Sequence, residues 1–524
     1  MTDEAGQIRY SSPAGRWLLG VTVLGSSIAF LEATVVNVAL PEIGRDLDAD
    51  VAGLQWIING YLLTLAALIL LGGSLGDRYG RRRIFNLGVI WFAGASVLCA
   101  LAPNADVLIA ARVIQGIGGA LLTPGSLAII EATFHPLDRA RAIGAWSALG
   151  GIAGAIGPLV GGWLIEAVSW RAIFFINIPI AAFVVWAAAR HVPETRDPMI
   201  SGRLDFMGSA FASLALAGLT FTVIQAPEDG LGSPPVLGAL IVGLATAVAF
   251  VWAERRSPEP MLPLSIFDSR EFTSANVVTF AVYAALGGVF FLLVVFLQVA
   301  LGYSPIAAGA ASLPLTALLL VLSPRAGALA TRIGPRLPLT LGPIGIAIGM
   351  LMMRGIDPGD SYLGSVLPPI IVFGLGLSLV VAPITATVLA AADERHAGVA
   401  SGVNNAVART AGLAAVAALP LIVGLSGTDY ENPAALTDGF HGAVLACAIL
   451  ALAGGALAWL TISNDVLKTA PVTDGDTPDR AATDFGCGVA GTPLRPAREA
   501  RCAPADEDEL PRVTVGAGAA ADDG

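Results

Sequence analysis

Charge is scarce in this sequence. Only 13% of its 524 residues are Asp, Glu, Lys or Arg, where a soluble domain carries about 25%. Hydrophobic residues make up 55%, and the mean hydropathy is +0.75. Such a chain cannot solvate a water-facing surface of its own size, which excludes a soluble enzyme, a nucleic-acid-binding protein and a secreted disulfide scaffold. The four cysteines, at positions 99, 447, 487 and 502, have neither metal-ligand nor disulfide-framework spacing. His135, His191, His396 and His441 fall in loops or at the ends of apolar runs, so no metal site is expected. A phosphate-cradling Gly-x-x-x-x-Gly-Lys loop is missing too, which disfavours ATP as an energy source. No cofactor is called for.

What the sequence has is apolar runs. A window of ~19 residues finds fourteen, each close to the length needed to cross a bilayer: 15–40, 52–75, 84–102, 106–130, 142–166, 171–190, 205–225, 234–253, 273–299, 305–325, 337–355, 362–391, 397–424 and 439–461. The first is too long for a signal-peptide core and reads as a retained helix. Arginines divide unevenly between the connecting loops. Sixteen, from Arg78 to Arg395, lie in one alternate set, and three, Arg45, Arg171 and Arg354, lie in the other. The positive-inside rule places the rich set, and with it both termini, in the cytoplasm of a cell-membrane protein. The net charge of −11 is concentrated at the end: 12 acidic and 6 basic residues follow from Asn464 onward. This stretch has too few large apolar residues to fold and reads as a disordered tail whose two cysteines are inert thiols.

A repeat organises the rest. Gly73-Ser-Leu-Gly-Asp-Arg-Tyr-Gly-Arg-Arg-Arg83 returns more weakly as Gly327-Ala-Leu-Ala-Thr-Arg-Ile-Gly-Pro-Arg336. Internal duplication around a central cavity is a transporter architecture. The expected fold class is an all-α polytopic membrane protein: an N-terminal six-helix bundle over 15–190, a linker region with two additional spans over 191–272, and a C-terminal six-helix bundle over 273–461. Residues 1–14 form a cytoplasmic N-terminus and 462–524 the tail.

Three ionisable residues lie deep in these runs, where charge is costly and points to function. Glu32 is roughly 12 Å, and Arg112 roughly 9 Å, from the same membrane surface at 1.5 Å per residue. They can pair if the first and fourth spans are neighbours. Desolvation and a nearby guanidinium act on a carboxyl in opposite directions, so Glu32 and Arg112 are candidates for loading and releasing a proton; the alternative is a permanent structural ion pair. Arg409, about 12 residues into the thirteenth run, can hold an anionic or dipolar substrate group or helix-end carbonyls. Asn404 and Asn405 beside it either line a cavity or bridge helices. Gln55, Trp56, Asn59 and Tyr61 can furnish a cavity wall, Trp56 also serving as an interface anchor. Together with Thr34, Asn37 and Gln115, the residues Trp56, Asn59, Tyr61, Asn404, Asn405 and Arg409 make the expected substrate cavity. In the Gly73–Arg83 loop, Asp77 can meet Arg78 or a helix N-terminus, while Arg81 to Arg83 anchor the cytoplasmic face. Gly150 to Gly162 places small residues four apart for tight packing, with Pro158 permitting a kink.

Leu31–Pro41, Gly73–Arg83, Arg112-Val-Ile-Gln-Gly116, Gly150–Gly162 and Trp170–Pro179 together resemble the major facilitator superfamily, and within it the fourteen-span drug:proton antiporters. The resemblance covers about residues 15–461. It implies two six-helix bundles plus two extra central helices, alternating access, and proton-driven export of amphipathic small molecules such as drugs, antibiotics or a related metabolite by a monomer in the lipid bilayer, with no nucleic-acid partner. An uncoupled facilitator or importer is the alternative. It further implies proton coupling at Glu32 and Arg112, and gating at Gly73, Asp77, Arg78, Gly80, Arg81, Gly157, Pro158, Gly161 and Gly162. Two departures stand out. Glu32 occupies a position usually held by Asp, and Thr331 replaces the acid in the second copy of the loop. Spans nine to fourteen also lack a deep carboxylate, which argues against a dicationic substrate.

Overall fold

The computed structural model describes residues 8–196, 205–257, 260, 262–392 and 397–467. The acidic tail from residue 468 onward, its two cysteines, and Arg203 and Arg395 of the arginine-rich loops lie outside these residues.

Helices account for the apolar runs in chain order: α1 (Pro13–Leu47), α2 (Val51–Tyr79), α3 (Arg81–Ala100), α4 (Ala105–Thr133), α5 (Pro136–Ala167), α6 (Ala172–His191), α7 (Phe206–Asp229), α8 (Pro234–Arg256), α9 (Arg270–Val299), α10 (Pro305–Ile333), α11 (Arg336–Met353), α12 (Tyr362–Ala390), α13 (Ala397–Val423) and α14 (Pro433–Thr461). Thirteen among the described residues are long and apolar enough to span a membrane; α5 has a shorter apolar stretch, Ile152–Ala167, and takes the fourteenth place. Local chemistry sets the ends. Asp50 accepts from Gly53 N–H (2.7 Å) at the start of α2, and Asn104 accepts from Val107 N–H (2.9 Å) at the start of α4, each meeting an N–H that the helix leaves unpaired. Asp48, in the left-handed region at φ 56°, closes α1. That helix runs seven residues past the apolar run because Pro41 sits inside it without ending it.

The helices form two six-helix bundles, α1–α6 and α9–α14, with α7 and α8 packed on each other and α7 resting on α2 and α13. Burial separates the roles. The apolar window of α9 is 78% buried and that of α8 only 11%. On α8, Leu237, Ile241, Leu244, Val248 and Trp252 all face outward, as expected of side chains solvated by lipid.

The repeat seen in the sequence is also a repeat of turn geometry. Gly80 (φ +112°) joins α2 to α3, and Gly334 (φ +88°) joins α10 to α11, both in conformations that favour glycine. In each bundle the residues after the sixth helix come back to this turn. Glu194 accepts from Arg82 N–H (3.1 Å) in the first, and Ile462 O accepts from Arg336 Nε (2.7 Å) in the second.

Candidate functional site

Helices α1, α3, α4 and α6 bring a polar cluster into an otherwise apolar interior. Arg112 Nη1 lies 2.6 Å from Glu32 Oε1, and both side chains are essentially inaccessible. The same nitrogen donates to Gln115 Oε1 (2.6 Å), while Nε donates to the Ile57 carbonyl (3.0 Å). The other Glu32 oxygen accepts from Asn177 Nδ2 (2.8 Å). Asn177 and Gln115 both donate to Ser96 Oγ, at 3.2 and 2.9 Å. The guanidinium stacks over the Tyr61 ring at 4.5 Å, a cation–π contact that gains weight away from water. Both carboxylate oxygens are therefore hydrogen-bonded, the condition under which a buried ion pair offsets its desolvation. The neighbour relation that the depth argument required is present.

Sequence reasoning did not single out Asn177 and Ser96 as part of this cluster. Asn177 lies inside the quoted Trp170–Pro179 motif, where a polar residue in an apolar run was the available signal. Gln115, expected in the substrate cavity, sits in this cluster instead, fully buried.

The remaining cavity candidates disperse. Thr34 Oγ1 donates to Leu31 O (2.9 Å) and Gly154 O (3.2 Å), so it lies at the α1–α5 contact. Trp56 is half-buried, its ring 6.1 Å from Phe221 on α7. Asn37 is half-buried on α1. Asn404 bridges helices, donating to Asn276 Oδ1 (3.2 Å) and Thr279 Oγ1 (2.9 Å). Asn405 is exposed and donates to the Ser401 carbonyl (3.1 Å). Asn59 is fully buried with neither amide atom partnered among the described residues, and the Tyr61 hydroxyl is likewise unpartnered.

Arg409 lies at the middle of α13, half-buried, and makes no hydrogen bond or ion pair among the described residues. Its surroundings follow from helix register. Gln55 on α2 meets Val416 and Ala417, and a Cβ on Gly402 would fall 2.8 Å from Leu70 Cδ2. Antiparallel α2 therefore sets Leu62 and Leu63 opposite Arg409, with Asn59 one turn away. On α9, the Asn404 bridge and the approach of Gly287 to Gly412 set Tyr283 beside it; Tyr61 and Tyr283 are both within its electrostatic range.

Among the gating candidates, Asp77 pairs with Arg81 (Oδ1–Nε 2.7 Å), not with Arg78. Gly73 is half-buried on α2 near Pro124. Gly157 lies against Thr34 and Gly161 against Val35, tying α5 to α1. Gly162 and Pro158 reach further. A Cβ at Gly162 would meet the backbone of Ile306, and one at Gly309 would meet the Pro158 carbonyl, so α5 packs on the start of α10 in the other bundle. There Glu166 Oε1 accepts from Ile306 N–H (2.8 Å). These contacts between bundles gather at the arginine-poor end, around a cavity of about 450 Å³ lined by both.

Residues 22–417 match the model of the Major Facilitator Superfamily. The chain belongs to that family and is a membrane transporter of small molecules, not an enzyme. It is 36% identical over 386 residues to the multidrug resistance protein Stp of Mycobacterium tuberculosis, covering 74% of this chain and 71% of the relative. It is also 36% identical to the methylenomycin A resistance protein of Bacillus subtilis, over 82% of this chain and 92% of the relative. Among solved structures, a peptide transporter in complex with sulfate superposes with a TM-score of 0.63 at 15% identity, covering 86% of this chain and 98% of that one. That likeness concerns the fold.

Proposed function

We propose that the protein is a proton-coupled antiporter that exports amphipathic small molecules, antibiotics among them, across the cell membrane by alternating access. The observation that carries the coupling is the buried Glu32–Arg112 pair. A carboxylate held at membrane depth by Arg112 and Asn177 exchanges one strong partner for another when it takes a proton. The two states bond differently to α4 and α6, and that difference lets a proton bias the conformation. A proton entering from outside neutralises Glu32, releases the grip on Arg112, and leaves to the cytoplasm after the bundles have rocked. One proton moving down ~100 mV supplies about 2.3 kcal/mol, enough for modest uphill export. The resistance proteins named above support export as the direction. The arginine-rich loops support a cytoplasmic position for that end and for both termini. The two bundles, 15–190 and 273–461, move about the linker region 191–272, and the protein works as a monomer.

The substrate site of this reading lies between α2, α9 and α13, at Arg409, Asn405 and Asn59. A cation at the bilayer centre costs about 2.5–3.5 kcal/mol on insertion scales, and among the described residues Arg409 has no carboxylate to offset it. An acidic or strongly dipolar substrate group does so on binding. Replacing Arg409→Gln removes charge-assisted hydrogen bonds worth about 1.5–3 kcal/mol. Resistance to acidic amphiphiles is expected to fall by about tenfold or more, with resistance to neutral ones little changed. A susceptibility panel of both classes, with and without a protonophore, checks this; equal loss across the panel would remove Arg409 from recognition.

A further inference from the structure

Two glutamines join the bundles by donating to backbone carbonyls of the opposite bundle. Gln55 of α2, nearly inaccessible, donates through Nε2 to the carbonyls of Val416 (2.7 Å) and Ala417 (2.9 Å) on α13. Pro420 lies inside α13. It has no N–H, so the Val416 carbonyl four residues earlier has no helical donor. Gln298, at the end of α9, donates to the carbonyl of Val38 (2.9 Å) on α1. Gln55 thus meets a carbonyl that a helix-internal proline has freed, whereas the Val38 carbonyl that Gln298 meets keeps the Glu42 N–H as its helical donor. The exchange is reciprocal: first bundle to second through Gln55, second to first through Gln298.

We infer that Gln55 is a positioning residue that latches the arginine-poor end shut, with Pro420 supplying its docking point. A carbonyl already paired within its helix gains little from a second donor. One freed by proline and buried between helices needs a partner from elsewhere. Gln55 satisfies that need only while the bundles are together. When the arginine-poor end opens, water takes over as donor, so the latch is reversible. Among the described residues the other contacts crossing this face lack that character: Gln298 meets a carbonyl that keeps its helical donor, Glu166 meets a helix N-terminus at Ile306, and Val51 N–H meets the Gly427 carbonyl (2.9 Å) through backbone alone.

This inference rests on the alternating-access reading above, and its test is independent of proton coupling. Val295 is buried and lines the cavity at the arginine-poor end. Full-length protein carrying Val295→Cys, with Cys99→Ala, Cys447→Ala, Cys487→Ser and Cys502→Ser, is labelled in intact cells by a membrane-impermeant maleimide, and labelling after denaturation gives the total. No substrate or pH gradient is needed. Gln55→Leu is expected to speed labelling about fivefold or more, the effect of losing one or two hydrogen bonds. Pro420→Ala restores an N–H to α13 and reclaims the Val416 carbonyl. It should mimic Gln55→Leu, and the two together should do no more than either alone. If Pro420→Ala leaves labelling unchanged while Gln55→Leu speeds it, Gln55 acts by packing and the latch is wrong. If Val295→Cys is equally protected in every variant and export persists, the latch is likewise overturned and the exporter reading stands.

Discussion

Replacing Glu32→Gln is expected to abolish uphill export while the protein still folds and reaches the membrane. The substitution keeps the shape of the side chain and its carbonyl oxygen, which still accepts from Arg112. The new amide nitrogen would face Asn177 Nδ2, donor against donor. The Asn177 Oδ1 atom, however, is buried and unpartnered among the described residues, so turning that amide presents an acceptor. Folding therefore survives the change, and proton loading does not. A single proton driven by ~100 mV sustains a concentration ratio of about 50-fold, since each tenfold corresponds to about 1.4 kcal/mol. In everted vesicles energised to that level, accumulation by the variant is expected to fall to equilibration. Accumulation at the unaltered level would mean that the ion pair is only a strut.

Removing the other partner has a different consequence. Arg112→Leu leaves Glu32 buried with Asn177 as its remaining donor, and leaves Gln115 Oε1 with only the weak Cys99 thiol (3.7 Å). Breaking a buried pair from one side costs about 3–5 kcal/mol, whereas replacing both partners with uncharged groups is often nearly neutral. Arg112→Leu alone should therefore collapse the yield of folded protein, and Arg112→Leu combined with Glu32→Gln should recover most of it without restoring export. Thermal unfolding of the purified variants measures both. If the single variant is as stable as the double, the interaction between these two residues is not what holds the cluster together.

Depth along a helix is legible in a sequence, and rotation about its axis is not. Glu32 and Arg112 could be set at similar depth from residue counts alone, and they meet. Gln115 lies three residues from Arg112, and nothing in the one-dimensional pattern says that its side chain turns toward α3 rather than the centre of the molecule. Trp56, read as a cavity wall or an interface anchor, has its ring against Phe221 of α7, a neighbour that the sequence pattern does not name. Asp77 shows the limit at short range: Arg78 is adjacent in sequence, but one helical turn brings Arg81 to the carboxylate. The span count was readable because length and apolarity are properties of the run itself. The end of α1 was not, because a proline inside a long packed helix bends the chain without stopping it.

The measurement that bears most directly on the account is proton movement driven by substrate. Purified protein is reconstituted into liposomes containing a pH-sensitive dye, and the compound added is one to which the protein gives cells resistance. Adding that compound outside, with no pH gradient imposed, should shift the internal pH as it exchanges for protons, and the shift should vanish in Glu32→Gln. Transport of the compound with no pH change in the unaltered protein, or an undiminished pH change in the variant, would contradict the claim that Glu32 carries the proton.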